Sequence, residues 1–323
     1  MSGMICLTMI VRDEERVLAR CLASVAGLYD ALVIVDTGST DGTVAIAERH
    51  GATVYHYAGA NGPDGLIHDF ADARNLALSK VRGDWIWQMD ADEVLLDGHA
   101  AVRRIIAGAA ADAIAVRMRS DGSEWHSARL FRRSAVQFYV GRIHEYLQHD
   151  GTTLNSDEIV VANLPDKAGK ETAFCRNTRI AQAEIEAGRG TSRLWHNLGN
   201  EHFRAGDFAQ AALCYDMSLV LGGYPIGRFH GSFYKASCHL VLGEIDAALR
   251  EVERSLRLGP HFAEAHCLRG DCLFMQERYS DAAESYRAAL ACRGRRPDSP
   301  FPAQPAMEEE HPTRQLALIE LLL

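Results

Sequence analysis

The stretch Gly83–Leu95, with the sequence GDWIWQMDADEVL, decides the fold of the N-terminal half. Its apolar run Trp85–Met89, interrupted by one glutamine, is typical of a strand buried in a parallel sheet. Asp90 and Asp92 follow this strand at once. Ligands of open α/β sheets bind at the carboxyl ends of the strands, and two carboxylates there suit Mg²⁺ or Mn²⁺. A solvated turn is the simpler interpretation of a lone Asp-x-Asp, so the remainder of the chain has to decide.

The composition is that of an ordinary globular protein. The chain has 323 residues, enough for two domains, of which 47% are hydrophobic and 24% charged. A net charge of −9 argues against binding to nucleic acid or to an anionic membrane. The eight cysteines include no Cys-x-x-Cys pair, so we expect free thiols in a reducing compartment. Neither a signal peptide nor a membrane span is evident, and the sequence predicts a cytoplasmic protein.

Strands and helices alternate in the residues before Gly83. The predicted strands are Ile5–Val11, Ala31–Val35 and Ala52–Tyr57, and the predicted helices are Glu14–Ala26, Thr43–His50 and Asp69–Val81. Their short connections indicate βαβ units in a parallel sheet. No G-x-G-x-x-G follows the first strand, which disfavours a dinucleotide-dependent dehydrogenase. Asp36, at the tip of the second strand, can bind a nucleobase or a ribose, or can cap the turn that follows.

Four motifs occur together in one order. They are MIVRDEE at 9–15, VDTGSTDGT at 35–43, ARN at 73–75, and GDWI leading to DAD at 83–92. In this order they resemble the GT-A glycosyltransferases of family 2, and more closely the subgroup fused to tetratricopeptide repeats. That subgroup includes the peptide S-glycosyltransferases that modify glycocin bacteriocins. The resemblance implies a GT-A domain with a Rossmann-like mixed α/β sheet, a UDP-sugar as the nucleotide-sugar donor, and a divalent metal, Mn²⁺ or Mg²⁺.

The resemblance also implies roles for individual residues. The implied cofactor-binding residues are Asp13 or Glu14 with Asp36 at the nucleoside, Arg74 and Asn75 at the diphosphate, and Asp90 at the ribose. Asp90 and Asp92 are the implied metal ligands, and Asp92 is also a candidate catalytic residue. Thr37 stands where many relatives have a second aspartate, which leaves Asp36 as the only acidic contact from that strand.

Two further candidates lie in the stretch VGRIHEY at 140–146. The resemblance places a similar stretch beside the donor site, where His144 is implied as a further metal ligand. A neutral imidazole nitrogen suits that role, although a hydrogen-bonded strand histidine is the alternative. Glu145 is a candidate general base, and its competitors are Asp121, Glu124 and Asp150.

Helical repeats fill the second half of the chain. WHNLGNEH at 195–202 and HCLRGDCL at 266–273 fit the first helix of a tetratricopeptide repeat. The small residues Gly199 and Gly270 in these segments predict close helix approach, and Tyr215 and Tyr286 should fill the neighbouring space. The apolar end of the chain, TRQLALIELLL, must be buried. It either caps the last repeat or forms a homodimer.

The predicted domains are 1–162 for the GT-A domain, 163–190 for a helical connection, 191–294 for about three tetratricopeptide repeats, and 295–323 for a proline-rich linker and the terminal helix. Our leading hypothesis is a metal-dependent, inverting glycosyltransferase with a peptide or protein acceptor, modified on Cys or Ser and held in the repeat groove. A saccharide or lipid-linked acceptor is the alternative. An inactive repeat scaffold is the rival from another class, and binding of a nucleoside diphosphate with Mn²⁺ separates the two. A nucleotidyltransferase is disfavoured because Arg12–Glu15 is acidic rather than glycine-rich and basic.

Overall fold

The N-terminal half is built on a mixed sheet and the C-terminal half on paired helices. The computed structural model describes residues 3–120, 123–166, 171–223, 225–294 and 304–323. The chain divides into two units, the first ending at Lys170 and the second starting at Glu171. Asp121 and most of the proline-rich segment lie outside the described residues. Within the described ranges, no helix is both long enough and apolar enough to cross a bilayer.

The first unit contains ten strands and four helices within its described residues. The strands are β1 Ile5–Val11, β2 Ala31–Asp36, β3 Thr53–His56, β4 Trp85–Gln88, β5 Glu93–Asp97, β6 Ala113–Ser120, β7 Ser123–Arg132, β8 Val136–Val140, β9 Tyr146–His149 and β10 Thr153–Asn163. The helices are α1 Leu18–Ser24, α2 Thr43–Arg49, α3 Phe70–Lys80 and α4 His99–Gly108. The main sheet has the order β3-β2-β1-β4-β7-β6-β10-β5, and β8 pairs with β9 separately. Strands β1 to β4 are parallel, and β7 is antiparallel to β4, so the predicted mixed α/β sheet is confirmed.

Both faces of the central strands are buried, which explains their continuous apolar sequence. In β1, Ile5 and Leu7 point into a core shared with α1 and α4, which also takes in Trp87. Cys6, on the opposite face, packs in a separate core with Ala73 and Ala77 of α3. The sheet therefore holds α3 against one face and α1 and α4 against the other.

The order of the parallel strands brings three acidic positions to one edge. Strand β1 lies between β2 and β4 and is parallel to both. Asp36 ends β2, Asp13 follows β1, and Asp90 follows β4. Because parallel strands end at the same edge, all three positions lie at the carboxyl side of the sheet, where the direction of winding reverses.

The first helix is shorter than the predicted Glu14–Ala26, because α1 begins only at Leu18. The backbone N–H groups of residues 13–15, before this helix, are bound by side chains from the segment after β2. Asp13 N donates to the Ser39 hydroxyl at 3.0 Å. The next two N–H groups donate to Thr43 Oγ1 and Asp41 Oδ2, at 2.6 and 3.1 Å. Side chains of the loop after β2 thus hold the turn after β1.

The second unit consists of helices. They are α5 Ala173–Glu186, α6 Ser192–Arg204, α7 Phe208–Val220, α8 Pro225–Val241, α9 Ile245–Leu258, α10 Ala263–Met275, α11 Tyr279–Ala291, α12 Pro305–Glu308 and α13 Glu310–Leu322. The pairs α6–α7, α8–α9 and α10–α11 are three repeats. A Cβ at Gly199 would lie 2.7 Å from the ring of Tyr215, and a Cβ at Gly270 would lie 2.5 Å from the ring of Tyr286. The predicted close approach of the helices is confirmed. Ile319 of α13 is buried against the last repeat, so the terminal helix packs on it. The prediction that the whole apolar end is buried is wrong, because the side chains of Leu318 and of residues 321–323 are exposed.

Candidate functional site

A buried arginine joins two of the predicted acidic residues at the carboxyl edge of the sheet. Arg74, on α3, is 7% exposed. Its Nη2 donates to Asp90 Oδ1 at 2.6 Å, and its Nε donates to Glu145 Oε1 at 2.5 Å. Glu145 lies 71 residues further along the chain, in the turn between β8 and β9. The structure therefore brings Arg74, Asp90 and Glu145 into one cluster.

The cluster fixes the charge state of its arginine. Burial acts to lower the pKa of Arg74, but the attraction of Asp90 and then of Glu145 outweighs it and raises that pKa well above the ordinary value. The guanidinium is therefore permanently charged. The Asp90 side chain is 38% exposed, so one end of the cluster faces solvent while the arginine does not. An ion pair of this kind orients a carboxylate that is still open to a ligand.

Glu93 and Arg129 extend the cluster, and sequence reasoning gave neither a role. Glu93, the first residue of β5, is 1% exposed. Its Oε1 accepts a hydrogen bond from Arg129 Nη2 at 2.7 Å, and its Oε2 accepts one from Asp90 N at 3.1 Å. The only sequence signal for Glu93 was its place directly after the Asp-x-Asp. Arg129 lies in an alternating strand, where nothing in the pattern indicates a buried partner.

Asp92 lies close to Asp90 and is half-buried. Its backbone carbonyl accepts a hydrogen bond from Leu164 N at 2.8 Å. The thiol of Cys21, which donates to the Asp90 carbonyl, has a raised pKa, first because of burial and then because of Glu93, Asp90 and Asp92. Cys21 is therefore a protonated, buried thiol and not a nucleophile.

The donor set at this edge suits a metal that is completed by a substrate. In the parts of the chain that the structure describes, no three His, Cys, Asp or Glu residues form a metal-binding group. Mg²⁺ and Mn²⁺ commonly use one or two carboxylates and take their other ligands from phosphate and water. Asp90 and Asp92 fit that requirement. His144, held at a φ of 51°, is half-buried in the turn beside Glu145, and its role as a ligand stays a prediction.

The residues that we predicted to contact the nucleoside form hydrogen bonds within and between two loops. Asp13, at a φ of 50°, accepts a hydrogen bond from Thr40 N at 2.7 Å. Asp36 is 3% exposed and accepts from Ser39 N at 3.0 Å, and its Oδ2 lies 3.2 Å from His56 Nδ1. These contacts make the turn after β1 and the loop after β2 one connected rim. The backbone N–H of Glu14 also belongs to this rim and is partly buried. The contacts of Asp13, Glu14 and Asp36 with a nucleoside stay predictions.

The amide of Asn75 binds backbone. Its Oδ1 accepts from Tyr139 N at 2.7 Å, and its Nδ2 donates to Tyr139 O at 3.0 Å. The Tyr139 hydroxyl in turn donates to Gln88 Oε1 at 2.9 Å, and its ring lies 5.9 Å from the Arg74 guanidinium carbon. Asn75 thus holds β8 beside the cluster, and a diphosphate contact from it stays a prediction.

Comparison with known proteins agrees with this architecture. Residues 6–159 match the model described as Glycosyl transferase family 2. The first unit carries a family 2 glycosyltransferase domain. Residues 235–300 match a tetratricopeptide repeat model. The glycosyltransferase domain is thus followed by tetratricopeptide repeats, as the motifs predicted, while the finer resemblance to the peptide S-glycosyltransferases has no support from these matches.

Individual relatives cover only part of the chain. A TPR repeat-containing protein of Synechococcus elongatus is 49% identical over 28% of this chain and 21% of its own length. An uncharacterized glycosyltransferase of Rickettsia felis is 36% identical over 27% of this chain and 28% of its own. The lipopolysaccharide core biosynthesis glycosyltransferase LpsC of Rhizobium meliloti is 33% identical over 27% and 30%. The matched regions thus span less than a third of these relatives.

Among solved structures, a MamA protein covers 46% of this chain and 72% of its own at 15% identity, with a TM-score of 0.39.

Proposed function

We propose that this chain is a glycosyltransferase that moves a sugar from a nucleotide-sugar donor, with Mn²⁺ or Mg²⁺, to an acceptor held partly by the repeats. The observation that carries the proposal is the placement of Asp90 and Asp92 at the carboxyl end of β4, in a family 2 domain, with Asp90 oriented by Arg74. An inactive scaffold would not require a buried guanidinium that binds Glu145 and also orients the partly exposed carboxylate of Asp90.

Each residue of the site has a proposed role in the transfer. Asp90 and Asp92 would hold the metal, which when bound supplies positive charge for the departing diphosphate. Asp13 or Glu14, together with Asp36, would contact the nucleoside of a UDP-sugar. Glu145 would take the proton of the acceptor nucleophile on its Oε2, because Oε1 is bound to Arg74. The nucleophile attacks the anomeric carbon, whose bond to the diphosphate breaks with inversion.

A peptide or protein side chain is the acceptor that we favour. Three stacked repeats offer a long surface, which suits a polypeptide better than a small sugar. A cysteine would need the least help from a base, since a thiolate forms partly near neutral pH. The name of the LpsC relative favours a second candidate, in which the acceptor is a saccharide or is lipid-linked.

Intact-mass spectrometry tests both candidates on the full chain. The protein is incubated with Mn²⁺, with one of a panel of UDP- and GDP-sugars, and with either Cys- and Ser-containing peptides or oligosaccharides. A sugar-sized mass gain on a peptide supports the preferred acceptor, and a gain only on saccharides supports the second. Absence of metal-dependent donor turnover, together with no shift in melting temperature on adding donor and Mn²⁺, would refute the transferase proposal.

A further inference from the structure

A second ion pair lies behind the candidate metal ligands. Glu93 is on β5 and Arg129 is on β7, two strands that are not adjacent in the sheet, and their side chains meet at 2.7 Å. The Glu93 side chain is 2% exposed and that of Arg129 16%. The other oxygen of Glu93 binds the backbone N–H of Asp90. The pair is thus connected to the Asp-x-Asp through the peptide backbone.

Stability alone is a poor reason for this pair. Moving two charges out of water costs about as much free energy as their attraction returns, so well-packed apolar residues of similar volume commonly do as well. In the described part of the chain, the Nε of Arg129 is buried without a hydrogen-bond partner, which adds a further cost. What an apolar pair could not supply is an acceptor for the Asp90 N–H.

Asp90 is consequently held from two independent sides. Arg74 of α3 binds its carboxylate, and Glu93 of β5 binds its amide. The two contacts come from opposite directions along the chain and act on different groups of one residue. Together they determine how the turn between β4 and β5 presents a side chain that is 38% exposed.

We propose that Glu93 and Arg129 are positioning residues: through the Asp90 amide they orient the Asp90–Asp92 turn for the metal and the diphosphate. The inference rests on the proposed function, which supplies the ligand of that turn. Partners that orient a metal ligand typically change metal affinity by about 10–100-fold when they are removed.

Two variants and a control test the proposal in the full-length chain. Glu93→Gln removes the charge at nearly constant shape, and Arg129→Lys keeps the positive charge but loses the fixed geometry of the guanidinium. Asp112→Asn is the control. Asp112 pairs with Arg132, which is on β7 like Arg129, and it makes no contact with Asp90 in the described structure. The probe is Mn²⁺ with UDP. Calorimetry measures its affinity, and electron paramagnetic resonance reports the binding of the metal.

The second readout is backbone hydrogen exchange of the metal-free protein, measured by mass spectrometry. We expect peptides covering residues 89–93 to exchange about tenfold faster in Glu93→Gln, with β1 and β4 unchanged, and Mn²⁺–UDP binding to weaken by about tenfold in both variants. Uniformly faster exchange over the whole sheet would instead mark a merely structural pair and overturn the inference. Wild-type Mn²⁺–UDP affinity in Glu93→Gln would overturn it too.

The two proposals fail in different ways. If the wild-type protein binds no nucleotide with Mn²⁺, the proposed function fails, whereas the local exchange result still decides whether Glu93 holds the turn. If the wild type binds and both variants bind equally well, the function stands and the positioning role is wrong.

Discussion

The side-chain amide of Asn75 and the backbone of Tyr139 are joined in both directions, with Tyr139 N 2.7 Å from Oδ1 and Tyr139 O 3.0 Å from Nδ2. An asparagine used in this way replaces a backbone partner for β8. It also brings the Tyr139 ring beside Arg74. Helix α3 therefore organises the site twice, through Arg74 and through the next residue.

We predict that Asn75→Ala lowers the free energy of unfolding of the first unit by about 1–3 kcal/mol, because it leaves backbone groups of Tyr139 without a partner. Asn75→Asp keeps the acceptor and loses the donor, so its loss should be smaller. Urea unfolding followed by tryptophan fluorescence measures both. Unchanged stability with a raised KM for the donor would instead favour the diphosphate contact implied by the family resemblance.

Arg74→Lys should abolish most transfer activity, with a fall of at least about 100-fold, because an ammonium lacks the fixed fork that binds Asp90 and Glu145 together. The unfolding free energy should drop by roughly 3 kcal/mol, as when a buried pair loses one contact. Arg103→Lys is the control, since Arg103 pairs with Asp30 at a partly exposed site. Steady-state kinetics and urea unfolding give the two numbers, and near-wild-type turnover would disprove the role of the cluster.

Asp92→Asn should leave the fold intact while weakening Mn²⁺-dependent UDP binding by at least about 10-fold, because a neutral amide is a poor ligand for a hard cation. Asp97→Asn is the control, because it makes the same change in charge at an exposed position five residues further along the chain. Calorimetry with and without Mn²⁺ separates metal-linked binding from nucleotide binding alone. Equal affinities for the two variants would remove Asp92 from the proposed ligand set.

Acid should destabilise the repeat unit through His196. Burial, and to a lesser extent Arg193, lowers the pKa of this imidazole to about 4, whereas its pKa in the unfolded chain is about 6.5. Between these values the unfolded state binds a proton that the folded state does not, so stability falls as the pH decreases from about 6.5 to 4. The fall attributable to this group is on the order of 3 kcal/mol.

The pH dependence is measured by urea unfolding at several pH values, with ellipticity at 222 nm reporting the helices. His196→Gln should flatten the slope across this range, and His261→Gln, at an exposed position of the same unit, is the matched control. Identical slopes for wild type and His196→Gln would show that His196 does not titrate as its burial implies.

Local patterns in the sequence predicted strands β1 to β4 and the edge where Asp36 and Asp90 lie, because strand periodicity and chain order are enough to align parallel strand ends. They did not predict that Arg74 reaches Glu145, since the contact depends on how β8 and β9 fold back 71 residues later. Strands β5 and β10 were missed as well. Strand β10 pairs parallel with β6 and antiparallel with β5, a non-local arrangement without a short-range signal.

The three consecutive N–H groups of residues 13–15 that bind side chains of residues 39–43 have a consequence for engineering. The two segments are 26 to 29 positions apart in the chain, and we expect each to depend on the other for its shape. Transplanting the loop at 37–43 from another transferase, to alter nucleotide preference, would leave three backbone donors unmatched. A successful chimera must either keep Ser39, Asp41 and Thr43 or exchange both segments together.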